Sequence, residues 1–480
     1  MPAGLPADRP AEGPGGSAVL DAISRALPDL RLLTDDLDRE SYRLDETAYL
    51  TTAGLPLGVA LPTTTAEVST LLRLASEHRV AVVPRGAGTG LSGGAAGIDG
   101  ALTIALTRMD RILEIDRANL CVITQPGVIN ATLKQAVAAE GLFYAPDPAS
   151  YESCSIGGNL GTNAGGLCCV KYGQTRDWVL GLEVVLADGT VIRTGGRNVK
   201  DTAGYALTQL FVGSQGTLGI ITEATLRLRP LPGPRSTLLA FFASVEAAGD
   251  AVAAMTAAGL QPVTLELMDQ ATILAVDDWH HLGLERTAAA MLLVESDAPG
   301  SAAAEDLDRA ERACTAAGAT SVVRAADVAE ADWLREARRQ ALRALERQGM
   351  VRMEDVGVPR AAVPQLLRAI ERIAAANHVR TATFGHVGDG NLHPNFIFDR
   401  NDPAAAALTE RVRDEIFREA LALGGTVTAE HGIGIARRSW LPIQRGPEAV
   451  AVMRSIKSAL DPLGILNPGR MFELEPAAAP

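Results

Sequence analysis

The 480-residue chain is short of cysteine and of positive charge, and each shortage removes a class of protein. Only five cysteines occur, at 121, 154, 168, 169 and 314, and no two form a CxxC pair. That disfavours a zinc ribbon, an iron–sulfur cluster held by this chain and a disulfide framework. A reducing compartment is the simplest expectation. Basic residues number 44 against 57 acidic ones, a formal net charge of −13, so nucleic acid is not an expected partner. No apolar run reaches the roughly 18 residues that a membrane-crossing helix needs. Residues 1–16 are rich in proline, glycine and alanine and have neither the apolar core nor the basic start of a secretory signal. They read as a disordered tail.

What is present is an ordinary globular composition, 47% hydrophobic and 21% charged. At about 150 residues per domain, the length suggests about three domain-sized units or two large ones. The body reads as mixed α and β. Val68, Leu71, Leu72 and Ala75 recur at helical spacing after a threonine-rich cap with Glu67. Val80 to Val83 reads as a short strand ended by Pro84. Asn130 is expected to cap a helix that stops at Gly141. Leu182 to Arg193 reads as a hairpin around Asp188-Gly189, and Gly219 to Arg229 as a half-buried strand. The stretch from Leu228 to Ser236, with three prolines and a glycine, is the best linker in the chain. Beyond it, alanine-rich amphipathic helices (245–259, 301–317, 330–348, 361–377, 403–423) alternate with short strands such as Met291 to Glu295 and Ser321 to Arg324. The turn-rich segment ILNPGRMF near the C-terminus reads as a docking segment.

Two glycine-rich stretches carry the first chemical signal. Pro84 to Gly94 reads PRGAGTGLSGG, in which Gly86, Gly88 and Gly90 can present backbone N–H groups to an anion such as a pyrophosphate. A dinucleotide fold of the Rossmann type would need a helix next, and Asp110 even follows at about the right distance. Instead a strand, Leu102 to Leu106, comes next. The loop joins two strands, and on its own a plain glycine-rich hairpin is an equal alternative. Ser153 to Gly166, SCSIGGNLGTNAGG, holds five glycines and two asparagines in 14 residues. It suits neither a helix nor a central strand, but does suit a backbone surface for a large flat cofactor.

A second signal lies in FGHVGDGNLHPNF (384–396). A two-residue turn at Asp389-Gly390 would pair Gly388 with Asn391, Val387 with Leu392, His386 with His393 and Phe384 with Asn395. Directly opposed residues share a face with Cβ atoms about 5 Å apart. His386 and His393 would then sit side by side, with Asn395 on the same face. An isolated pair of this kind is better read as two surface or stacked histidines. TVTAEHGIG (426–434) adds the carboxylate of Glu430 and the imidazole of His431. Two imidazoles and one carboxylate leave coordination positions open for a substrate. Glu430 and His431 are adjacent, so both can face one site only in a bend, which Gly432 permits.

PRGAGTG, PDPAS, SIGGNLGTNAGG, KYG, GSQGTLGIIT (213–222) and ILNPGR (465–470), taken in order, resemble the FAD-binding oxidoreductases of the vanillyl-alcohol-oxidase type. The nearest resemblance is to the branch of D-lactate dehydrogenases, the glycolate oxidase flavin subunit and D-2-hydroxyglutarate dehydrogenase. It implies an α+β protein: a two-part FAD-binding domain (17–230), a substrate cap with an antiparallel sheet and a metal site (231–440), and a C-terminal return to the FAD domain (441–480). It implies that Arg85, Gly86, Ala87, Gly88, Thr89 and Gly90 hold the pyrophosphate. Ser155, Gly158, Asn159, Gly161, Asn163 and Gly165 would lie beside the isoalloxazine, with Pro148, Gly216, Gly219, Ile221 and Asn467 completing the FAD site. Gln215 stands where the family usually has glutamate. Thr89 stands where some relatives carry a flavin-linked histidine. The only histidine before residue 280 is His78, on the preceding helix, so the FAD is expected to be non-covalent. Cys154 reads as a small buried thiol rather than a flavin link.

The resemblance also implies His386, His393 and Glu430 as ligands of a divalent metal, zinc or manganese, and His431 as the base, with Asn395 in the same catalytic set. In LREARRQALRAL (334–345) it selects Arg338 for the substrate carboxylate, although a solvated basic helix face is an equal alternative. Relatives with larger substrates hold a distal carboxylate with a lysine just before an Asp-Val pair. Here Met353-Glu354 precedes Asp355-Val356, which favours a small acid unless Arg352 substitutes. The implied activity is oxidation of a D-2-hydroxy acid, with D-lactate or glycolate favoured. D-2-hydroxyglutarate, or a phenol or sugar on the same fold, is the alternative. With no cluster or haem motif in the chain, electrons must pass to an external acceptor: a quinone, a cytochrome, oxygen or an iron–sulfur partner subunit. A homodimer is allowed, and the expected location is cytoplasmic or peripheral at a membrane through that acceptor.

Overall fold

A computed structural model of the chain describes residues 15–47, 49, 50, 52–399 and 401–473. The expected tail lies outside these residues except for Gly15 and Gly16, which open the helix Gly15–Ala26. Three larger sheets organise the rest. In the first, Val82–Arg85 and Gly58–Leu61 flank Leu102–Ala105 in parallel, with Arg31–Leu33 antiparallel at the far edge. A plain hairpin is thereby excluded for the first glycine loop, because its two strands run the same way. The helix Thr65–His78 starts at a capping box of Thr64 and Glu67. Its buried Val68, Leu71, Leu72 and Ala75 pack on Val82, Leu102 and Ile104. The strand runs through Pro84 instead of ending there. It is an edge strand, and a missing N–H is tolerated on an open edge.

The second sheet is antiparallel, ordered Ile112–Asp116, Cys121–Thr124, Ile220–Arg227, Val179–Val185, Val191–Gly195. The hairpin expected at Asp188-Gly189 is there, with Val185 opposite Val191 and Gly189 at φ +87°. The third sheet has eight strands, and its long path runs Ala319–Arg324, Ser236–Phe242, Ala290–Ser296, Thr264–Asp269, Thr381–His386, Asn391–Phe398, Met350–Met353. Alternation along these strands gives two apolar faces. Leu238, Leu265, Leu292 and Phe396 meet the helices Val245–Ala257, Val363–Ala376 and Pro403–Ala422 on one side. Leu239, Met268, Leu293 and Phe384 meet the helices Gln270–His280, Val328–Arg339 and Ala341–Glu346 on the other.

Four local expectations are corrected. SIGGNLGT is not bare loop: Ile156–Thr162 is helical, capped by the Ser155 hydroxyl and closed by Asn163 at φ +56°. Burial of Ile156 and Leu160 outweighs the poor propensity of its three glycines. Asn130 opens its helix but does not cap it, because its amide donates to Pro146 and Asn159 instead. The helix expected over 330–348 breaks at Gln340. In the histidine hairpin, Val387 to Gly390 form a four-residue loop, so His386 opposes Asn391 and Phe384 opposes His393. Two successive turn bonds, from Asp389 to His386 and from Gly390 to Val387, make the longer loop. The register is offset by two, which keeps both histidines on one face but sets them diagonally.

The C-terminal segment docks as expected. Val82 donates to Ile465 and Asn467 donates back to Val82, so the segment covers the open edge of Val82–Arg85. Among the described residues, no helix is long and apolar enough to cross a membrane.

Candidate active site

A cleft of about 470 Å³ runs between the first two sheets and the third. Its wall on one side is backbone. Arg85 folds under the first glycine loop and donates to Ala95 and Leu44 carbonyls. Gly88, at φ +84°, passes so close that a Cβ there would lie 2.3 Å from the guanidinium. The Ser155 hydroxyl accepts from Ala87 and Gly158 and buttons the two glycine loops together. A Cβ at Gly86 would fall 2.5 Å from that hydroxyl. At Gly161, on the cleft wall, it would meet nothing. The wall is therefore a surface of amides and α-carbons, as a flat cofactor with a diphosphate requires.

Arg85 to Gly90, Pro148, Gly158, Asn159, Gly161, Gly165, Gly216, Gly219 and Ile221 all line this cleft. Ser155, Asn163 and Asn467 stand behind it. Asn163 bonds to Gln174 and Arg176, and Asn467 donates to the Gly94 and Gln215 carbonyls. Gln215 accepts from the Gly434 amide through its neutral side chain. Cys154 is buried away from the cleft, as expected for a packing thiol.

The opposite wall is the face of the eight-stranded sheet, and there the titratable groups converge. Glu430 Oε1 lies 3.2 Å from His393 Nε2, 3.5 Å from His386 Nε2 and 3.7 Å from His431 Nε2. The outer nitrogens are already engaged: His386 Nδ1 with Glu266 Oε1 at 2.7 Å, and His393 Nδ1 with the Glu354 carbonyl at 3.2 Å. With both Nδ1 atoms engaged outward, the two Nε2 atoms face Glu430 and become free to ligate once any proton shared with that carboxylate is displaced. Two such nitrogens and a carboxylate, with ligand atoms within 4.8 Å of one another, fit a divalent first-row cation. Burial opposes charge on His386, but Glu266 and Glu430 outweigh it and hold the imidazole well above its ordinary pKa. Burial likewise opposes charge on Glu430, yet His386 and His393 hold its carboxylate well below the usual range.

Asp355, which the sequence reading passed over, makes the bend. Its Oδ2 accepts from the Thr428 hydroxyl at 2.7 Å and from the amides of Ala429, Glu430 and His431 at 2.9, 3.0 and 2.9 Å. Oδ1 takes Asn391 Nδ2 at 2.8 Å and so ties the bend to the histidine hairpin. Gly432, at φ +81°, completes the turn. Burial pushes the His431 imidazole down to about 4, against the pull of Asp355.

Arg338 is 3% exposed, stands 4.6 Å over the Phe384 ring and has its Nη2 2.5 Å from Glu266 Oε2. Its Nε has no hydrogen-bond partner. A buried guanidinium with a spare donor on a cleft wall suits an anionic group, and for this residue the solvated helix face is excluded. Of its neighbours, Arg335 pairs with Glu295 and Arg339 with Asp147, while Arg339 and Arg343 also line the cleft. Asn395 is fully buried behind the wall and donates to the Ala382 and His393 carbonyls. Arg352 does not reach the cleft. It is spent on Glu354 and Glu410 over the Tyr49 ring, whereas Met353, Leu342 and Phe384 line the cleft.

Residues 231–471 match the family "FAD linked oxidases, C-terminal domain", and residues 56–195 match "FAD binding domain". The chain is 46% identical over 419 residues to the glycolate oxidase subunit GlcD of Bacillus subtilis, covering 87% of this chain and 89% of that one. It is 35% identical over 466 residues to a D-2-hydroxyglutarate dehydrogenase of Xanthomonas citri, covering 95% and 97%. A solved structure of p-cresol methylhydroxylase with substrate bound shares the fold at TM-score 0.81 and 17% identity, covering 96% and 97%. The chain therefore carries an FAD-binding domain and belongs to the FAD-linked oxidases of the vanillyl-alcohol-oxidase type.

Proposed function

We propose that the chain oxidises a small D-2-hydroxy acid, glycolate or D-lactate, to the 2-oxo acid and passes the electrons to an external acceptor. The observation that carries this reading is the convergence of three imidazoles on Glu430 beside a buried arginine with a spare donor. When bound, the non-covalent FAD supplies the acceptor for the C2 hydride, and the divalent cation, zinc or manganese, supplies the Lewis acid that acidifies the 2-hydroxyl. His386, His393 and Glu430 hold the cation. Arg338 binds the substrate carboxylate and fixes the C2 hydrogen toward the flavin side of the cleft. His431 takes the hydroxyl proton at Nε2. Asp355, 4.0 Å from Nδ1, stabilises the imidazolium so formed. Anaerobic bleaching of the yellow protein across a panel of D- and L-2-hydroxy acids tests the reading. Bleaching by phenols or sugars alone would refute it.

The wall beyond Arg338 decides substrate size. Leu342, Met353 and Phe384 offer no partner to a second carboxylate and make an unpaired charge beside them costly, so such a group would have to reach Arg343 on the same cleft. Met353→Lys is expected to improve kcat/KM for a 2-hydroxy dicarboxylate about tenfold or more relative to lactate, measured as a ratio on one preparation. An unchanged ratio would place the distal group elsewhere.

The glycine wall also touches the metal-side residues. A Cβ at Gly165 would lie 2.7 Å from Glu430 Oε2 and 3.2 Å from Glu430 Cβ. Gly165→Ala is expected to displace Glu430 and weaken cation binding about tenfold or more. Metal titration against the wild-type protein checks it.

A further inference from the structure

Glu266 has no step in the chemistry above, yet it touches both halves of the site. It lies in the strand Thr264–Asp269 and is 1% exposed. In the neighbouring strand, Gly385 opposes Leu267 and Phe384 opposes Met268, which brings Glu266 to the level of His386. One oxygen is 2.7 Å from His386 Nδ1, and the other is 2.5 Å from Arg338 Nη2. Among the described residues this is the ion pair of Arg338.

We propose that Glu266 is a positioning residue that couples cation affinity to binding of the substrate carboxylate. The proposal rests on the assignment of His386 to the cation and of Arg338 to the carboxylate. Acceptance of Nδ1–H keeps the Nε2 lone pair of His386 aimed at Glu430, and the more charge Glu266 places on that bond, the more basic Nε2 becomes. Arg338 draws on the same charge from the other side. A substrate carboxylate at Arg338 weakens that draw, returns charge to the imidazole and tightens its hold on the cation. By linkage the cation tightens the substrate by the same factor. A glutamine at this place has one carbonyl and one amide nitrogen, so it cannot accept from both His386 and Arg338.

The test is a double-mutant cycle read on metal affinity, using the flavin-loaded protein without substrate and competition between Zn²⁺ and a chromophoric chelator. Glu266→Gln is expected to weaken Zn²⁺ binding about 10–100-fold. Arg338→Ala is expected to tighten it about fivefold or more when Glu266 is present. In the Glu266→Gln background the same change should act within about twofold, leaving only its direct charge effect. Equal effects of Arg338→Ala in both backgrounds overturn the coupling. Glu266→Asp supplies a second route. Its shorter carboxylate cannot span both contacts, so it should raise the substrate KM and weaken Zn²⁺ together. Wild-type values of both in that variant also overturn the proposal. A wild-type flavoprotein that takes up no divalent cation overturns the underlying metal assignment instead.

Discussion

Replacing His431 with alanine is expected to lower kcat about 10²–10⁴-fold while the protein stays yellow. The imidazole lies on the cleft wall with Nε2 facing the Glu430 carboxylate and its ring stacked on His393 of the eight-stranded sheet. Loss of the ring therefore removes a proton acceptor without opening the cofactor site. The direction of its pKa gives a second check. Burial pushes it from the ordinary 6.5 down to about 4. The form that accepts a proton is the neutral ring, so the base is already competent across the neutral range. The acid limb of kcat/KM should fall below pH 6.5 and approach 4, and a neighbouring cation shifts it further down. Anaerobic stopped-flow reduction of the flavin band measures both effects. Turnover within tenfold of wild type, or an acid limb at or above 6.5, would remove His431 from this role.

Stripping the cation is expected to lower turnover about 10²-fold or more, with recovery on addition of Zn²⁺ or Mn²⁺. The two Nε2 atoms and the Glu430 carboxylate then have nothing to share but a proton. Because Glu266 and Glu430 hold His386 above its ordinary pKa, a cation must displace that proton as it binds. Metal affinity should therefore weaken as the pH falls, and proton release should accompany uptake. His393→Ala should give the same loss without recovery. A chelator-treated sample, shown by elemental analysis to be metal-free, that still turns over at the original rate would sink the metal role.

Much of this site was legible in the sequence because glycine and histidine leave strong local marks. The two glycine loops, the HVGDGNLH hairpin and the AEHGIG turn each carry their chemistry within a dozen residues. The parity of the hairpin placed His386 and His393 on one face even though the register was two residues out. The turn signal at Asp389-Gly390 is real, but loop length depends on the bonds from Asp389 and Gly390, which have no separate sequence mark. Glu266 and Asp355 were missed for a different reason. Each is an acid in an otherwise apolar strand or its end, and its partners come from 36 to 120 residues away. Only the sheet order brings those partners together. The helix Ile156–Thr162 was missed because propensity argues against it and the core overrides propensity.

The three amides gathered on Asp355 have one more consequence. Glu430 and His431 hang from a single knot of backbone, so a backbone shift at one is shared by the other. An ion that moves Glu430 through that backbone carries the imidazole with it. Ionic radius thereby becomes a kinetic variable: exchanging one metal for a larger or smaller one changes not only how firmly it is held but where the proton acceptor stands. A series of divalent ions ranked by size would then trace turnover as a peak, while binding strength follows the separate order set by nitrogen and oxygen ligands.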